Sequence, residues 1–192
     1  AVRKPRTLEE AVDAKGTGLP VVALIVAAGR GERLGGDVPK PYRALAGAPL
    51  LRRTILRFLN HPAVTGVRVV IDPAHRAFYD AATVGLTLLE PTAGGADRQE
   101  SVRLGLESLA PLRPAQVLIH DAARPLVSAD LVSRVIAALA EHPAVLPAVP
   151  VVDTLKRVDG GAVTGDAPRA GLVRAQTPQG FAYPVILAAH RA

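Results

Sequence analysis

The chain has 192 residues, 49% of them hydrophobic, and a formal net charge of +6 from 23 Lys plus Arg against 17 Asp plus Glu. That length and apolar content fit one globular domain with a substantial core and argue against extended disorder. There is no Cys, which excludes both a disulfide framework and a thiolate metal site.

In chain order, residues 1–18 read as a flexible extension: Arg3-Lys4-Pro5-Arg6, a short helical stretch, then Lys15-Gly16-Thr17-Gly18. This segment lacks the order of a signal peptide. With no Met in the sequence, Ala1 is not expected to be the translation start. From Leu19 onward, short apolar runs alternate with amphipathic helices. Candidate strands are Val21–Val26, Val67–Ile71, Leu86–Leu89, Gln116–Ile119 and Ala144–Val149. Between them, Leu51, Ile55, Phe58 and Leu59 form one helical stripe. A second helix is predicted from Asp97, where Glu100 stands at capping-box spacing and Val102, Leu106 and Leu109 share a face. A third carries Leu131, Val132, Val135, Ile136 and Leu139, with Ser128 as N-cap. Strands separated by helices imply βαβ crossovers, hence an α/β fold with a mostly parallel, Rossmann-like three-layer sheet.

Near Pro150 the pattern changes. Residues 151–158, the turn Asp159-Gly160-Gly161 and residues 162–164 read as a β-hairpin without a crossover helix, expected to project as an arm over about residues 151–171. Leu172–Ala175 is expected to return towards the core. His61, His75, His142 and His190 read as surface residues and His120 as structural. Tyr42 and Phe181 read as core.

Three segments carry chemistry. The first strand runs into a Gly-rich, basic loop from Ala27 to Lys40. Its small residues let the backbone approach a ligand, its glycines can aim successive N–H groups at one anion, and Arg33 and Lys40 add charge. The same composition also suits a plain surface loop with solvated bases. Neither the Walker nor the Rossmann spacing is present. A second Gly-rich turn, Gly94-Gly95 through Ser101, could present backbone groups and a hydroxyl to a base edge, or serve as an ordinary strand-to-helix loop. The third is His120-Asp121-Ala122-Ala123-Arg124-Pro125, behind the buried-strand run Val117-Leu118-Ile119. In an open parallel sheet, ligands sit outside the carboxyl ends of the strands. There a carboxylate suits Mg²⁺ and a guanidinium suits phosphate. The alternative reading is a junction whose Asp caps the next segment and whose Arg pairs with it.

Scattered arginines, 3% aromatics and the absence of any run of five like charges favour small phosphorylated ligands over nucleic acid. The longest apolar stretch, Leu19 to Ala28, is far too short to span a bilayer as a helix. No nucleic acid and no membrane are therefore expected among the partners.

As a set, these residues resemble the 2-C-methyl-D-erythritol 4-phosphate cytidylyltransferase family. The matching signatures are Ala27–Arg33 with Pro39-Lys40, Gly94-Gly95 with Arg98 and Ser101-Val102, His120–Pro125, Asp153-Thr154-Leu155-Lys156, and Gln176-Thr177-Pro178-Gln179. The resemblance implies a cytoplasmic, Mg²⁺-dependent enzyme of isoprenoid precursor synthesis that uses CTP and a sugar-alcohol phosphate. By the same resemblance Arg33 and Lys40 are catalytic and Asp121 holds the metal. Ala27, Ala28, Gly29, Gly31, Gly95, Ser101 and Ala122 contact the nucleotide, while Arg124, Thr154, Arg169 and Thr177 bind the second substrate. The arm is expected to cross to a neighbouring subunit, making a homodimer. Ribitol 5-phosphate as acceptor and a non-catalytic nucleotide-binding protein are the alternatives. Departures are Pro41 where the family usually has Gln, Val173 in place of an aromatic, and the absence after Ala192 of a Thr-Asp-Asp/Glu-Ala segment and a Lys-bearing final strand. The last departure suggests that residues 19–192 form a cytidylyltransferase domain cut from a longer chain, such as a fusion.

Overall fold

The computed structural model describes residues 21–29 and 38–192. The extension over residues 1–18 and the loop residues Gly31 and Arg33 therefore lie outside the described residues.

The strands in chain order are β1 (Val21–Val26), β2 (Ala44–Leu45), β3 (Ala48–Pro49), β4 (Val64–Ile71), β5 (Thr92–Ala93), β6 (Gln116–Asp121), β7 (Ala144–Val145), β8 (Ala148–Pro150), β9 (Leu155–Asp159), β10 (Ala162–Ala167), β11 (Val173–Ala175) and β12 (Gln179–Ala182). The helices are α1 (Leu50–Leu59), α2 (Arg76–Thr83), α3 (Arg98–Ser108), α4 (Ala129–Ala138) and α5 (Tyr183–Arg191). Among the described residues, six strands make the main sheet in the order β5-β4-β1-β6-β12-β7. Within it β1 runs parallel to both β4 and β6, and β5 runs parallel to β4. β12 alone is reversed, antiparallel to β6 and β7. The chain leaves β1 towards β4 and later returns to β1's other side as β6, which makes the β1–β6 boundary a topological switch point.

Period-two alternation explains the three layers. On β1, Val21, Ala23 and Ile25 join one core with Leu51, Ile55 and Phe58 of α1, Tyr79 of α2, and Val132 and Val135 of α4. Val22 and Leu24 face the opposite core, with Val102, Leu106 and Leu109 around α3 and Tyr183 of α5. Both faces of the strand are covered, so its sequence is apolar throughout. Phe58 is fully buried, and truncating it to Ala would cost about 3–5 kcal/mol. On the second face the Tyr183 hydroxyl donates to the Leu106 carbonyl at 2.9 Å and ties α5 to α3.

Helix starts follow the expected chemistry. Asp97 caps α3, its carboxylate accepting the Glu100 N–H at 2.8 Å. Ser128 caps α4, its hydroxyl accepting the Leu131 N–H at 3.2 Å.

Several expectations need correction. Leu86–Leu89 is not a strand; Leu89 donates one bond to Val67 at 3.0 Å, and the paired edge strand is β5 at Thr92–Ala93. Leu86 and Leu88 pack on one core and Leu89 on the other, so the apolar run reflects packing along β4. The run Ala144–Val149 splits at Leu146-Pro147 into β7, in the main sheet, and β8, which pairs with β11 outside it. Proline removes the N–H that a continuous ladder would need. The hairpin is β9–β10, joined through Gly160 (φ 53°) and Gly161 (φ 83°), positive values that glycine adopts without strain. Its first strand begins at Leu155, so residues 151–154 precede it instead of forming part of it. The return segment is β11, Val173–Ala175, and it is exposed rather than buried. His61 is buried, not on the surface: it is 4% exposed and hydrogen-bonded to Ser133 at 2.9 Å. Helices α2 and α5 and strands β2, β3 and β12 are additions to the elements expected from sequence.

Candidate functional site

Three loops meet at the carboxyl ends of the central strands. Val26 stands in register with Asp121 across β1 and β6. The Ala27 N–H donates to Val70 at 2.8 Å, and the Ala122 N–H donates to Val26 at 3.0 Å. The Gly94 N–H donates to Ile71 at 2.8 Å. Sheet hydrogen bonding thus continues past the strands and fixes where each loop starts. A Cβ on Gly94 would fall 2.2 Å from the Ala28 Cβ and 2.9 Å from the Ser101 hydroxyl. Only glycine permits so close an approach between these two loops.

The second loop is held by its own side chains. Ser101, 2% exposed, accepts the Gly95 N–H at 3.0 Å and donates to the Asp97 carbonyl at 2.7 Å. Glu100 accepts the Ala96 N–H at 2.8 Å. The Ser101 hydroxyl therefore shapes the turn that presents Gly95.

At the end of β6, the Asp121 carboxylate is shared by two guanidinium groups. Its Oδ1 accepts from Arg98 Nη2 at 3.0 Å, and its Oδ2 accepts from Arg124 Nε at 2.9 Å. Arg124 also reaches the Gln176 side-chain oxygen at 3.3 Å, the residue before Thr177. Thr177 is 8% exposed, with its hydroxyl buried and unpaired. Beneath this rim the core holds the loop backbone. The Thr54 hydroxyl donates to Ala122 at 2.7 Å, His120 Nε2 bonds the Arg124 carbonyl at 3.0 Å, and Arg57 Nε donates to Pro125 at 3.3 Å. His120 is fully buried against Phe58, ring centroids 4.9 Å apart. Burial pushes its imidazole below the ordinary histidine value, so it serves as a neutral donor and structural residue.

Lys40 opens a short 3-10 helix, Lys40–Tyr42, and its side chain is exposed. Tyr42 anchors that turn, stacked on Phe78 at 5.6 Å between centroids; burial raises its phenol well above the ordinary range. Ala27 and Ala122 are buried, Ala28 is half-buried and Gly29 is exposed. The structure thus brings Ala27, Ala28, Gly95, Ser101, Asp121, Ala122 and Arg124 to one rim, with Thr177 joined through Gln176. Thr154 and Arg169 are both exposed, just before and just after the β9–β10 hairpin, and Arg169 donates to the Val152 carbonyl. Among the described residues no hydrogen bond links either to the Asp121 cluster. Arg98, Gln176 and Thr54 take part in the site without a role legible in local sequence, although a Thr on the buried stripe of α1 is itself an unusual signal.

Among the described residues, no group of three acidic or imidazole side chains could hold a cation by protein ligands alone. Asp121, whose two oxygens are engaged by Arg98 and Arg124, could offer Mg²⁺ a single ligand, the others coming from phosphates and water. No helix among the described residues is long and apolar enough to cross a membrane.

The chain is similar to several known proteins. The bifunctional enzyme IspD/IspF of Rhodospirillum rubrum is 61% identical over 173 residues, covering 90% of this chain and 45% of that protein. The 2-C-methyl-D-erythritol 4-phosphate cytidylyltransferase of Cereibacter sphaeroides is 50% identical over 175 residues, covering 91% and 78%. The chain thus spans under half the length of its bifunctional relatives. A crystal structure of 4-diphosphocytidyl-2C-methyl-D-erythritol synthase superimposes with a TM-score of 0.78 at 30% identity, covering 91% of this chain and 80% of that one. With the family model matching residues 21–192, the chain belongs to the 2-C-methyl-D-erythritol 4-phosphate cytidylyltransferase family.

Proposed function

We propose that this chain transfers a cytidylyl group from CTP to 2-C-methyl-D-erythritol 4-phosphate, releasing pyrophosphate, in isoprenoid precursor synthesis in the cytoplasm. A phosphate oxygen of the acceptor attacks the α-phosphorus of CTP and forms the new P–O bond. The bond from that phosphorus to the bridging oxygen breaks, and pyrophosphate leaves with the electron pair. Little covalent chemistry falls to the protein, so positioning and charge stabilisation do most of the catalysis.

In this reading the backbone from Ala27 to Gly31, with Gly95, Ser101 and Ala122, cradles the nucleotide. Arg33 and Lys40 stabilise charge on the triphosphate. Asp121 would hold Mg²⁺, which when bound screens the phosphate charge. Arg124 and Thr177 hold the acceptor, together with Thr154 and Arg169 supplied by a second subunit's arm. Exposed Val152 (67%), Val158 (62%), Val163 (64%) and Val173 (58%) on and beside the arm favour such a homodimer. Residues 19–192 act as the cytidylyltransferase domain.

The observation that carries the reading is the meeting of the 27–29, 94–101 and 121–124 segments at the β1–β6 switch point. The test is pyrophosphate release from CTP with methylerythritol phosphate and ribitol 5-phosphate offered in competition. Preferred turnover of methylerythritol phosphate is expected. Better turnover of ribitol phosphate would change the acceptor, and CTP binding without release would leave a nucleotide-binding protein.

A further inference from the structure

The loop that carries Asp121 and Arg124 is held from below by donors in the core. Ala122 is the tightest point. Its N–H is committed to Val26 at 3.0 Å, and its carbonyl accepts the Thr54 hydroxyl at 2.7 Å. Thr54 is fully buried in the middle of α1, and its one hydroxyl proton goes to the nearer acceptor, Ala122, with the Leu50 carbonyl a longer alternative at 3.1 Å. With both backbone groups of Ala122 fixed, the directions in which Asp121 and Arg124 leave the rim are fixed as well. Arg57, one turn along the same helix, bonds the Pro125 carbonyl at 3.3 Å, so α1 grips the loop at both ends.

We propose that Thr54 is a positioning residue for the site, its hydroxyl setting the Asp121–Pro125 loop in the orientation that binds both substrates. A serine or threonine hydroxyl in a helix interior gains nothing from that position by itself. Here it satisfies a carbonyl that would otherwise be buried without a partner. The inference rests on the cytidylyltransferase reading and goes beyond it, because Thr54 touches no proposed substrate.

Two substitutions separate positioning from packing. Thr54→Val keeps the side-chain shape but removes the hydroxyl; Thr54→Ser keeps the hydroxyl but removes the methyl. For Thr54→Val we expect KM for CTP and for methylerythritol phosphate to rise about fivefold to tenfold while kcat changes by less than about twofold, a loss of uniform binding. Thr54→Ser should keep the wild-type KM values while melting a few degrees lower. The opposite pattern, in which KM follows the melting temperature instead of the hydroxyl, overturns the proposal, as do unchanged KM values in a folded Thr54→Val. Should Thr54→Val fail to fold, Arg57→Met decides, since it removes the other grip from an exposed position. A rise in both KM values supports the proposal and unchanged values overturn it. A wild-type chain with no cytidylyl transfer would defeat the reading of function instead, before any variant is compared.

Discussion

Arg98 and Asp121, 23 positions apart in sequence, meet at 3.0 Å where the first turn of α3 faces the end of β6. The contact lies within the β5–α3–β6 segment and joins the turn after Gly95 to the rim carboxylate. Both side chains are partly open to solvent, 52% and 30% exposed, so the pair adds under about 1 kcal/mol to stability. Its value is geometric. Arg98→Met is expected to leave the denaturant midpoint within error of wild type while kcat/KM falls about tenfold. Denaturation and steady-state kinetics on one preparation check both halves, and a large stability loss would assign Arg98 to folding.

Lys40 is exposed at the start of a turn anchored by the buried Tyr42. Lys40→Ala should therefore fold normally and bind CTP with nearly wild-type affinity. If the Lys40 charge acts on the triphosphate in the transition state, as proposed, its loss should lower kcat by about a hundredfold or more. Calorimetry with CTP beside a pyrophosphate-release assay tests this, and unchanged turnover removes Lys40 from the mechanism.

Gly94→Ala tests whether the two Gly-rich loops must touch. The new methyl would lie 2.2 Å from the Ala28 Cβ, far inside van der Waals contact, and neither neighbour is a flexible side-chain end. The loops must separate, at about 1–3 kcal/mol of stability. A rise in KM for CTP larger than that for methylerythritol phosphate is expected, because only the nucleotide is proposed to lie against both loops. Equal changes in the two constants would count against that placement.

The layers of the fold were legible because β1 and β6 bury both faces and α1, α3 and α4 carry clean apolar stripes. The caps at Asp97 and Ser128 are local hydrogen bonds that sequence spacing reports directly. What stayed hidden depends on tertiary neighbours. Gln179–Ala182 is short and contains a glycine, and it becomes a strand only because β6 and β7 offer edges on either side. Leu86–Leu89 has strand-like composition but lies outside the ladder. In the site, Asp121 and Arg124 could be read from one motif. The Thr54 bond to Ala122 spans 68 positions, and no local pattern encodes it.

His61 supplies a pH dependence of stability. Its ring is buried, Nδ1 accepts the Ala63 N–H at 3.3 Å, and Nε2 therefore donates to Ser133 at 2.9 Å. Burial lowers its folded-state pKa below the ordinary histidine value. Between the lowered and the ordinary value the unfolded chain binds more protons than the folded one, so stability rises with pH through that window. It is fully present above the ordinary value and is lost as pH falls towards the folded one. Urea midpoints for wild type and His61→Gln between pH 7.5 and 5 should converge as the pH drops, and parallel curves would show that His61 does not contribute.

Arm exchange makes a prediction that a single active subunit cannot meet. Val158 and Val163 are cross-strand partners on the β9–β10 hairpin, both well exposed, an arrangement suited to burial against a second copy. Arg169 lies just beyond that hairpin, whereas Lys40 lies on the main body next to β2. If each site takes Lys40 from one subunit and Arg169 from the other, Lys40→Ala and Arg169→Met should each be nearly inactive as pure dimers. Mixed after reversible dissociation, they form heterodimers in which one site carries both lesions and the other carries neither. Random assortment makes about half the dimers mixed, each with one intact site, so the pool should regain about one quarter of wild-type activity. Native mass spectrometry on the same samples, with one variant isotopically labelled, confirms that the dimers have exchanged. Exchanged dimers without recovered turnover would place Lys40 and Arg169 in the same subunit's site.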